Sequence, residues 1–500
     1  MSELTWYGNQ SDVESASFGA LAVIEPMIQK INLAEIINQH LPTDGQAEFD
    51  YGSILSMLVA ARLYSPVALS NVATWAQQSG AELLWDIPAD KLNDDRLGRS
   101  LDAFFTQRHS ILASLALHTA ETFDIPLDRL HYDPTHILFT GAYADSEARE
   151  ATSADGNPLI NADLSPAHIT KGRGTDDAPK GARMVHAGLT TFIDELGPLP
   201  IFGHTIDGNQ NGRTGIRQQL TLIQKVLKPK PFTMISDRGT FSVAHLLRLQ
   251  EANSNAICSV PWADVKDLFA KTRKKLKWKR ASFLSIEQQR RRDRNSDLPQ
   301  EHYELAVQRH TFEDGESGDS IETRVIFVFS TADQKVVRQQ RQKQIQRINA
   351  ELQQIEKSVA IGRYNDKIDA VSKRVAKILN NSNAERYFRW DLRKMTKREL
   401  ERTGKASVRG SRVATHCFTW SYDESLVKED EKHDGFSAIV TTVPASSHSA
   451  DRVFTMFREQ NLVEHANRQF KGPLAVRPVF LHKPERVEAL IYLLMVALMI

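Results

Sequence analysis

Hydrophobic positions along this chain change their spacing several times, and each change marks a new kind of element. From about residue 12 to 125 apolar residues recur three and four apart, as in Leu21, Ile24, Ile28 and Ile31, and again in Ile54, Leu58 and Ala61. That spacing puts them on one face of a helix. Polar breaks at Pro42-Thr43-Asp44-Gly45 and Leu92-Asn93-Asp94-Asp95 separate successive helices. Residues 1–125 are therefore expected to form an N-terminal helical domain, a DNA-binding unit or plain helical packing.

From 126 to 262 the runs become short and strand-like. Leu130 to Asp133 reads as a strand ending on its acid, Met184 to Ile193 as a longer one, and Pro200 to Ile206 as its partner after a turn at Glu195-Leu196-Gly197-Pro198. Gly215 to Val226 reads as a helix and Phe232 to Ser236 as a buried strand delivering Asp237. A helix through Val243 to Leu249 and a strand from Ala256 to Val260 follow. The polar stretch from Gly141 to Pro179 reads as a loop. Strands alternating with helices predict the first part of a mixed α/β sheet.

Residues 263–433 interrupt that pattern. A basic segment with Lys266, Lys271, Lys274, Lys275, Lys277 and Lys279 carries Phe269 and Trp278 between its charges, and Arg290 to Arg292 follow. Base interleaved with aromatics suits a nucleic-acid surface, with Lys274, Lys275 and Trp278 as contacts. A lysine-blocked sheet edge would look the same. Arg324 to Ser330 is one clean strand. Ile345, Ile348, Leu352, Ile355 and Val359 then step as a heptad seam, Gly362 breaks it, and Ile368, Val371, Val375 and Ile378 resume it, which predicts a two-helix antiparallel hairpin. Strand character returns at Tyr387 to Trp390 and Val413 to Trp420. Residues 434–500 begin with a last strand, Phe436 to Thr442, ahead of a helix from Phe457 to Lys471.

Bulk composition narrows the class without naming it. The 500 residues are 41% hydrophobic and 25% charged with net charge +1, so any nucleic-acid surface has to be a local concentration of base. Two cysteines, Cys258 and Cys417, show no CxxC spacing; disulfide scaffolds and zinc ribbons are disfavoured, and a reducing cytoplasm is the expected compartment. The polar N-terminus lacks a secretory signal. The longest apolar run, Ala489 to Ile500, is short of the roughly 20 residues a membrane span needs and reads as a buried helix. No cap, glycine or polar tail follows it, so the natural chain is expected to continue past Ile500.

The chemistry lies in three acids. Asp133 and Asp237 sit at strand ends, and Glu464 lies on the helix that also carries Lys471 seven residues on, on the same face two turns away. Converging carboxylates are the minimum for a two-metal phosphoryl-transfer site, because hard divalent cations prefer oxygen ligands. Taken singly, an acid after a strand is more often a turn or a helix cap.

Four segments carry a resemblance: Leu-His-Tyr-Asp133-Pro-Thr; Ile-Ser-Asp237-Arg238-Gly-Thr-Phe-Ser; Asp434-Gly-Phe-Ser-Ala-Ile-Val-Thr-Thr; and Val463-Glu464 to Phe470-Lys471 with the tail Arg477-Pro-Val-Phe-Leu481 and Lys483-Pro-Glu-Arg-Val-Glu-Ala-Leu490. Leu92 to Asp102 fits the same group. Together they resemble the DDE transposases of bacterial insertion sequences, the group with a large insertion between the second Asp and the Glu. The resemblance implies an RNase H-like mixed sheet with a β-rich and helical-hairpin insertion. It implies Asp133, Asp237 and Glu464 as catalytic metal ligands, with Mg2+ as cofactor and Mn2+ as substitute.

The family's last helix carries Tyr, Arg, Glu and Lys at fixed spacing; here those positions hold Phe457, Gln460, Glu464 and Lys471. The acid and the lysine match, whereas a hydroxyl and a charge are lost. The resemblance assigns Phe457, Gln460, Lys471 and Arg238 to DNA contact. It implies terminal inverted repeats and target duplex as partners, a homodimer when two ends are paired, and a nucleoid location. Ala167 to Arg183 lacks the Lys-Asp-His-Arg-Pro-Asp-like segment often seen in such proteins. A catalytically inactive, transposase-derived DNA-binding protein is therefore the alternative expectation, and a hydrolytic nuclease without end specificity ranks third.

Overall fold

A computed structural model describes residues 18–43, 45, 47–147, 166–172, 179, 181–194, 197–210, 212–227, 230–294, 301–365, 367–380, 384–406, 413–471 and 481–500. Most of the expected Gly141-to-Pro179 loop, Glu195-Leu196 of the expected turn and the Arg477-to-Phe480 part of the tail motif lie outside these residues. By packing, the chain divides into two compact units. One comprises Met1–Leu268, Gln308–Val325 and Ile439–Ile500, and the other Phe269–Val307 and Ile326–Ala438.

The first unit opens with helices α1 (Leu21–Lys30), α2 (Leu33–His40), α3 (Tyr51–Tyr64), α4 (Val72–Ser79), α5 (Ala81–Trp85) and α6 (Asp94–Thr122). Two of the expected breaks lead into caps. The Asp50 carboxylate accepts the Ser53 amide at 2.7 Å to start α3, and the Asn93 side chain accepts the Arg96 amide at 2.8 Å to start α6.

The sheet region follows: β1 (Arg129–Phe139), β2 (Thr170–Lys171), β3 (Arg183–Asp194), β4 (Gly197–Asp207), α7 (Gly212–Val226), β5 (Thr233–Ser236), α8 (Val243–Glu251), β6 (Asn255–Ser259) and α9 (Trp262–Thr272). Next come β7 (Lys279–Arg280), α10 (Ile286–Arg294), β8 (Tyr303–Glu313), β9 (Ser320–Ser330), α11 (Thr331–Ala360) and α12 (Ile368–Asn380). The chain continues through β10 (Phe388–Lys394), α13 (Lys397–Ala406), β11 (His416–Tyr422), α14 (Glu424–Glu431), β12 (Phe436–Thr441), α15 (Ala450–Arg458), α16 (Gln460–Lys471) and α17 (Pro484–Ala497).

Within the first unit, β1 pairs antiparallel with β3, and β3 pairs antiparallel with β4. On its other side β1 pairs parallel with β5, β5 parallel with β6, and β6 antiparallel with β12. The fold is thus α/β, a mixed sheet with helices behind an N-terminal helical region. Two strand expectations need correction. β1 does not stop at Asp133 but runs on through Pro134 to Phe139. It can do so because β5 pairs only with Arg129 to Tyr132, leaving the later residues without a ladder partner on that side, where proline costs least. Further on, the strand read as Arg324 to Ser330 starts at Ser320 and is preceded by β8, which was not anticipated.

Helices and sheet share one core. Leu21, Ile28, Leu55, Leu58, Leu97, Phe104 and Leu112 pack in a single cluster with Ile137, Val185 and Leu189 of the sheet and with Ile491, Leu494 and Val496 of α17. Inside it, Arg108 Nε donates to Glu488 Oε1 at 2.7 Å, both side chains almost wholly buried. Glu488 also accepts the Ala167 amide. Among the described residues no single helix is long and apolar enough to cross a membrane.

In the second unit the heptad seam becomes the core as expected. Ile345, Ile348, Leu352, Ile355 and Val359 of α11 pack with Val371, Val375 and Ile378 of α12. Between the helices Gly362 takes a positive φ of 70°, open to glycine at little cost. β10 and β11 form an antiparallel pair with Trp390 opposite Trp420, and Phe388 and Phe418 join the same core. Arg341 clamps the Asp434 carboxylate through two nitrogens.

Candidate active site

Asp133 and Asp237 meet because of strand register. Tyr132 of β1 is paired with Ser236 of β5, so each acid is the next residue on one of two neighbouring parallel strands. Alternation along a strand turns Tyr132 and Ser236 into the core and the acids to the other face. Behind them the packing leaves no room: a Cβ on Gly215 of α7 would stand 2.7 Å from the Tyr132 hydroxyl and 2.2 Å from Ile206. Cys258 lies under the same loop, its Sγ donating to the Asp237 carbonyl at 3.1 Å. Burial pushes that thiol up to about 12, so it is no nucleophile.

The third acid arrives on α16, and the helix expected from Phe457 to Lys471 is in fact two. α15 ends at Arg458 and α16 starts at Gln460. β1 pins this break. Arg129 pairs with Glu459 at 3.1 Å, His131 Nδ1 donates to Gln460 Oε1 at 2.9 Å, and Gln460 Nε2 donates to the Tyr132 carbonyl at 3.2 Å. From there α16 buries Val463, Ala466 and Phe470. Its other face presents Glu464, Asn467, Arg468 and Lys471, stepping by three, one and three, to a cleft of about 640 Å³.

That cleft holds Asp133, Asp237, Glu464 and Lys471 together, with His136 and His186 beside them. Asp133 is pushed up to about 7, first by burial and then by the charges of Asp237 and Glu464. Asn467 and Lys471 pull it partly back. Asn467 does so directly, donating from Nδ2 to Asp133 Oδ2 at 2.6 Å. Burial also raises Asp237, against the amides of Gly239 and Thr240 and the charge of Arg238. The Gly239 amide donates to Asp237 Oδ1 at 3.0 Å.

An all-oxygen donor set suits a hard divalent cation, and a dication would relieve the repulsion that raises Asp133. Among the described residues, however, no three His, Cys, Asp or Glu side chains stand close enough to hold one ion. The acids line the cleft rather than closing on a point.

The remaining expected contacts do not gather here. Phe457 belongs to α15, half-buried and away from the cleft lining. Gln460 is turned inward onto β1. Arg238 is exposed in the loop after β5. Lys274, Lys275 and Trp278 belong to the second unit. There the lysines are exposed, but Trp278 packs on Phe436 at 5.6 Å, and Phe269 is fully buried against Phe327 and Phe436. The aromatics expected to stack on bases are thus committed to packing. Asn467 and Arg468 were overlooked, although three- and four-residue steps from Glu464 mark both.

Comparison with known proteins reaches only part of the chain. No curated protein matches it. A family described as Domain of unknown function (DUF4277) matches residues 13–117, the helical region whose core α17 completes.

Proposed function

We propose that the chain is a transposase of the DDE type, which binds the ends of a DNA element and carries out metal-dependent strand cleavage and strand transfer. The observation that carries this reading is the convergence of Asp133, Asp237 and Glu464 on one cleft with Lys471 among them. These residues come from widely separated parts of the sequence and include the acids and the lysine that the motifs single out. The matched helical domain, one known in transposases, adds support.

In this reading Asp133, Asp237 and Glu464 would hold Mg2+, or Mn2+ in its place, which when bound supplies the positive charge that phosphoryl transfer needs. Asn467 fixes the orientation of the Asp133 carboxylate and favours its ionised form. Lys471 meets a phosphate oxygen as a point charge. Duplex DNA at the element ends and at the target is the partner, and pairing of two ends calls for two copies of the chain.

An inactive, DNA-binding relative is the second reading. It is favoured by the spacing of the acids, which do not close on a single ion, and by the inward turn of Gln460. A strand-transfer assay on labelled end duplex with Mg2+ or Mn2+ separates the two. Asp133→Asn, Asp237→Asn and Glu464→Gln are each expected to abolish cleavage and leave end binding intact. Cleavage retained by any one of them would sink the ligand assignment, and no strand transfer by the unaltered chain would favour the inactive relative.

A further inference from the structure

A second cavity of about 680 Å³ lies in the first unit, where the last turn of α3 and the segment after it meet the start of α17. Arg62 of α3 lines it. This side chain is only 7% exposed, its Nε has no hydrogen-bond partner, and no acid offsets its burial, which draws its pKa down to about 10. Buried guanidinium groups are normally paired, because an uncompensated charge is costly to bury. The C-terminal dipole of α3 offsets only part of that cost.

The cavity wall opposite is also electropositive. α17 begins there at Pro484 with no side-chain cap, and Arg486 of its first turn lines the space. Lys483 and Arg486 stand beside it, both engaged with Asp102 at 2.9 and 2.8 Å. Counting Asp94, which also lines the cavity, three cations stand against two acids before the helix dipole is added. A buried arginine with no carboxylate partner thus faces an uncapped helix start across a space of this size.

We propose that this pocket binds a phosphate group, held by the Arg62 guanidinium and the open N-terminus of α17. The shared chemistry is a tetrahedral phosphate, carried either by the backbone of DNA or by a free phosphate compound. The proposal does not depend on how the acid cleft is read.

The test uses the full chain and inorganic phosphate as probe. Against chloride of equal ionic strength, about 20 mM phosphate is expected to raise the Tm of the unaltered protein by about 2 °C and leave Arg62→Gln unmoved. In chloride alone Arg62→Gln should melt no lower than the unaltered chain, because it removes an unpaired buried charge.

A duplex in the same buffers identifies the source. If the pocket takes backbone phosphate, Arg62→Gln weakens duplex binding several-fold, reduces the slope of log K against log salt by about one, and phosphate competes with duplex. If phosphate protects only the unaltered chain and duplex binding is unchanged, the ligand is a free phosphate compound. No phosphate-specific shift, together with unchanged duplex binding by Arg62→Gln, overturns the pocket. Should Arg62→Gln fail to fold, the unaltered chain decides alone: a saturable phosphate shift supports the pocket, and its absence without phosphate competition for duplex overturns it.

Discussion

Asn467 on α16 donates its side-chain amide to Asp133 on β1 at 2.6 Å, joining residues 334 positions apart in sequence. This bond ties the helix that brings Glu464 to the strand that brings the first acid. It also favours the charged form of Asp133, which burial and two neighbouring carboxylates oppose. On the proposed function, Asn467→Ala is expected to reduce metal-dependent cleavage by about 10- to 100-fold, the usual cost of losing a group that would orient a metal ligand. The pH at which cleavage switches on should move upward, because a bond that lowers the Asp133 pKa is gone. A pH–rate profile beside circular dichroism checks both, and an unchanged profile would leave Asn467 a purely structural role.

Gln460 offers a sharper choice between roles. The resemblance places it at a DNA contact, yet both ends of its amide are bonded to β1. Gln460→Ala is therefore expected to cost about 1–3 kcal/mol of stability, the price of leaving buried partners unbonded. Its duplex affinity at low temperature should stay unchanged. Urea denaturation and anisotropy titration read the two quantities separately; a loss of affinity with full stability would return Gln460 to the DNA surface.

The buried Arg108–Glu488 pair should be unequal under single and double replacement. Arg108→Met or Glu488→Leu alone strands a charge in the core and is expected to cost about 3–5 kcal/mol. The double replacement should cost less than the sum of the two. A residual loss remains expected, since the Ala167 amide and the Phe105 carbonyl lose partners as well. Strict additivity in a double-mutant cycle would contradict the coupling.

His245 supplies a pH dependence. It is buried, its Nδ1 donates to the Thr240 carbonyl at 3.1 Å, and burial draws its pKa down to about 4. In the unfolded chain a histidine titrates near its ordinary value of about 6.5. The unfolded state therefore takes up the proton first as pH falls. The stability this group contributes is present above about pH 6.5 and is lost progressively toward pH 4, at up to about 1.4 kcal/mol per pH unit. His245→Gln should flatten that slope in denaturation series at several pH values; an unchanged slope would show that other groups govern it.

Much of this architecture can be read from residue spacing. The heptad positions from Ile345 to Ile378 are the buried seam of α11 and α12, and the strands around Met184 to Ile193 and Phe232 to Ser236 fall where alternation and apolar runs put them. Where reading fails, a local rule was overruled by position in the sheet. Pro134 ends a strand by propensity but sits past the last residue of β1 that pairs with β5, so only the β3 side has a ladder there. β8 escapes notice because Gln308, Arg309 and His310 dilute its alternation. The split between α15 and α16 is invisible in periodicity, since it is set by Arg129, His131 and Tyr132 from a distant strand. Of the site, the acids and Lys471 are legible from motif context. Asn467 is legible only once Glu464 is known to face a cleft, and Arg62 only once its lack of a partner is seen.

α17 has a consequence for how the molecule is made. Its apolar side chains complete the core of helices drawn from the first 122 positions, and its Glu488 neutralises Arg108 inside that core. During synthesis those helices leave the ribosome long before α17 exists, with their inner faces and a buried-site arginine still unanswered. The part of the chain made first is the part finished last. Until then it has to be shielded, and a nascent chain halted before Pro484 should be bound by chaperones or lost to proteases.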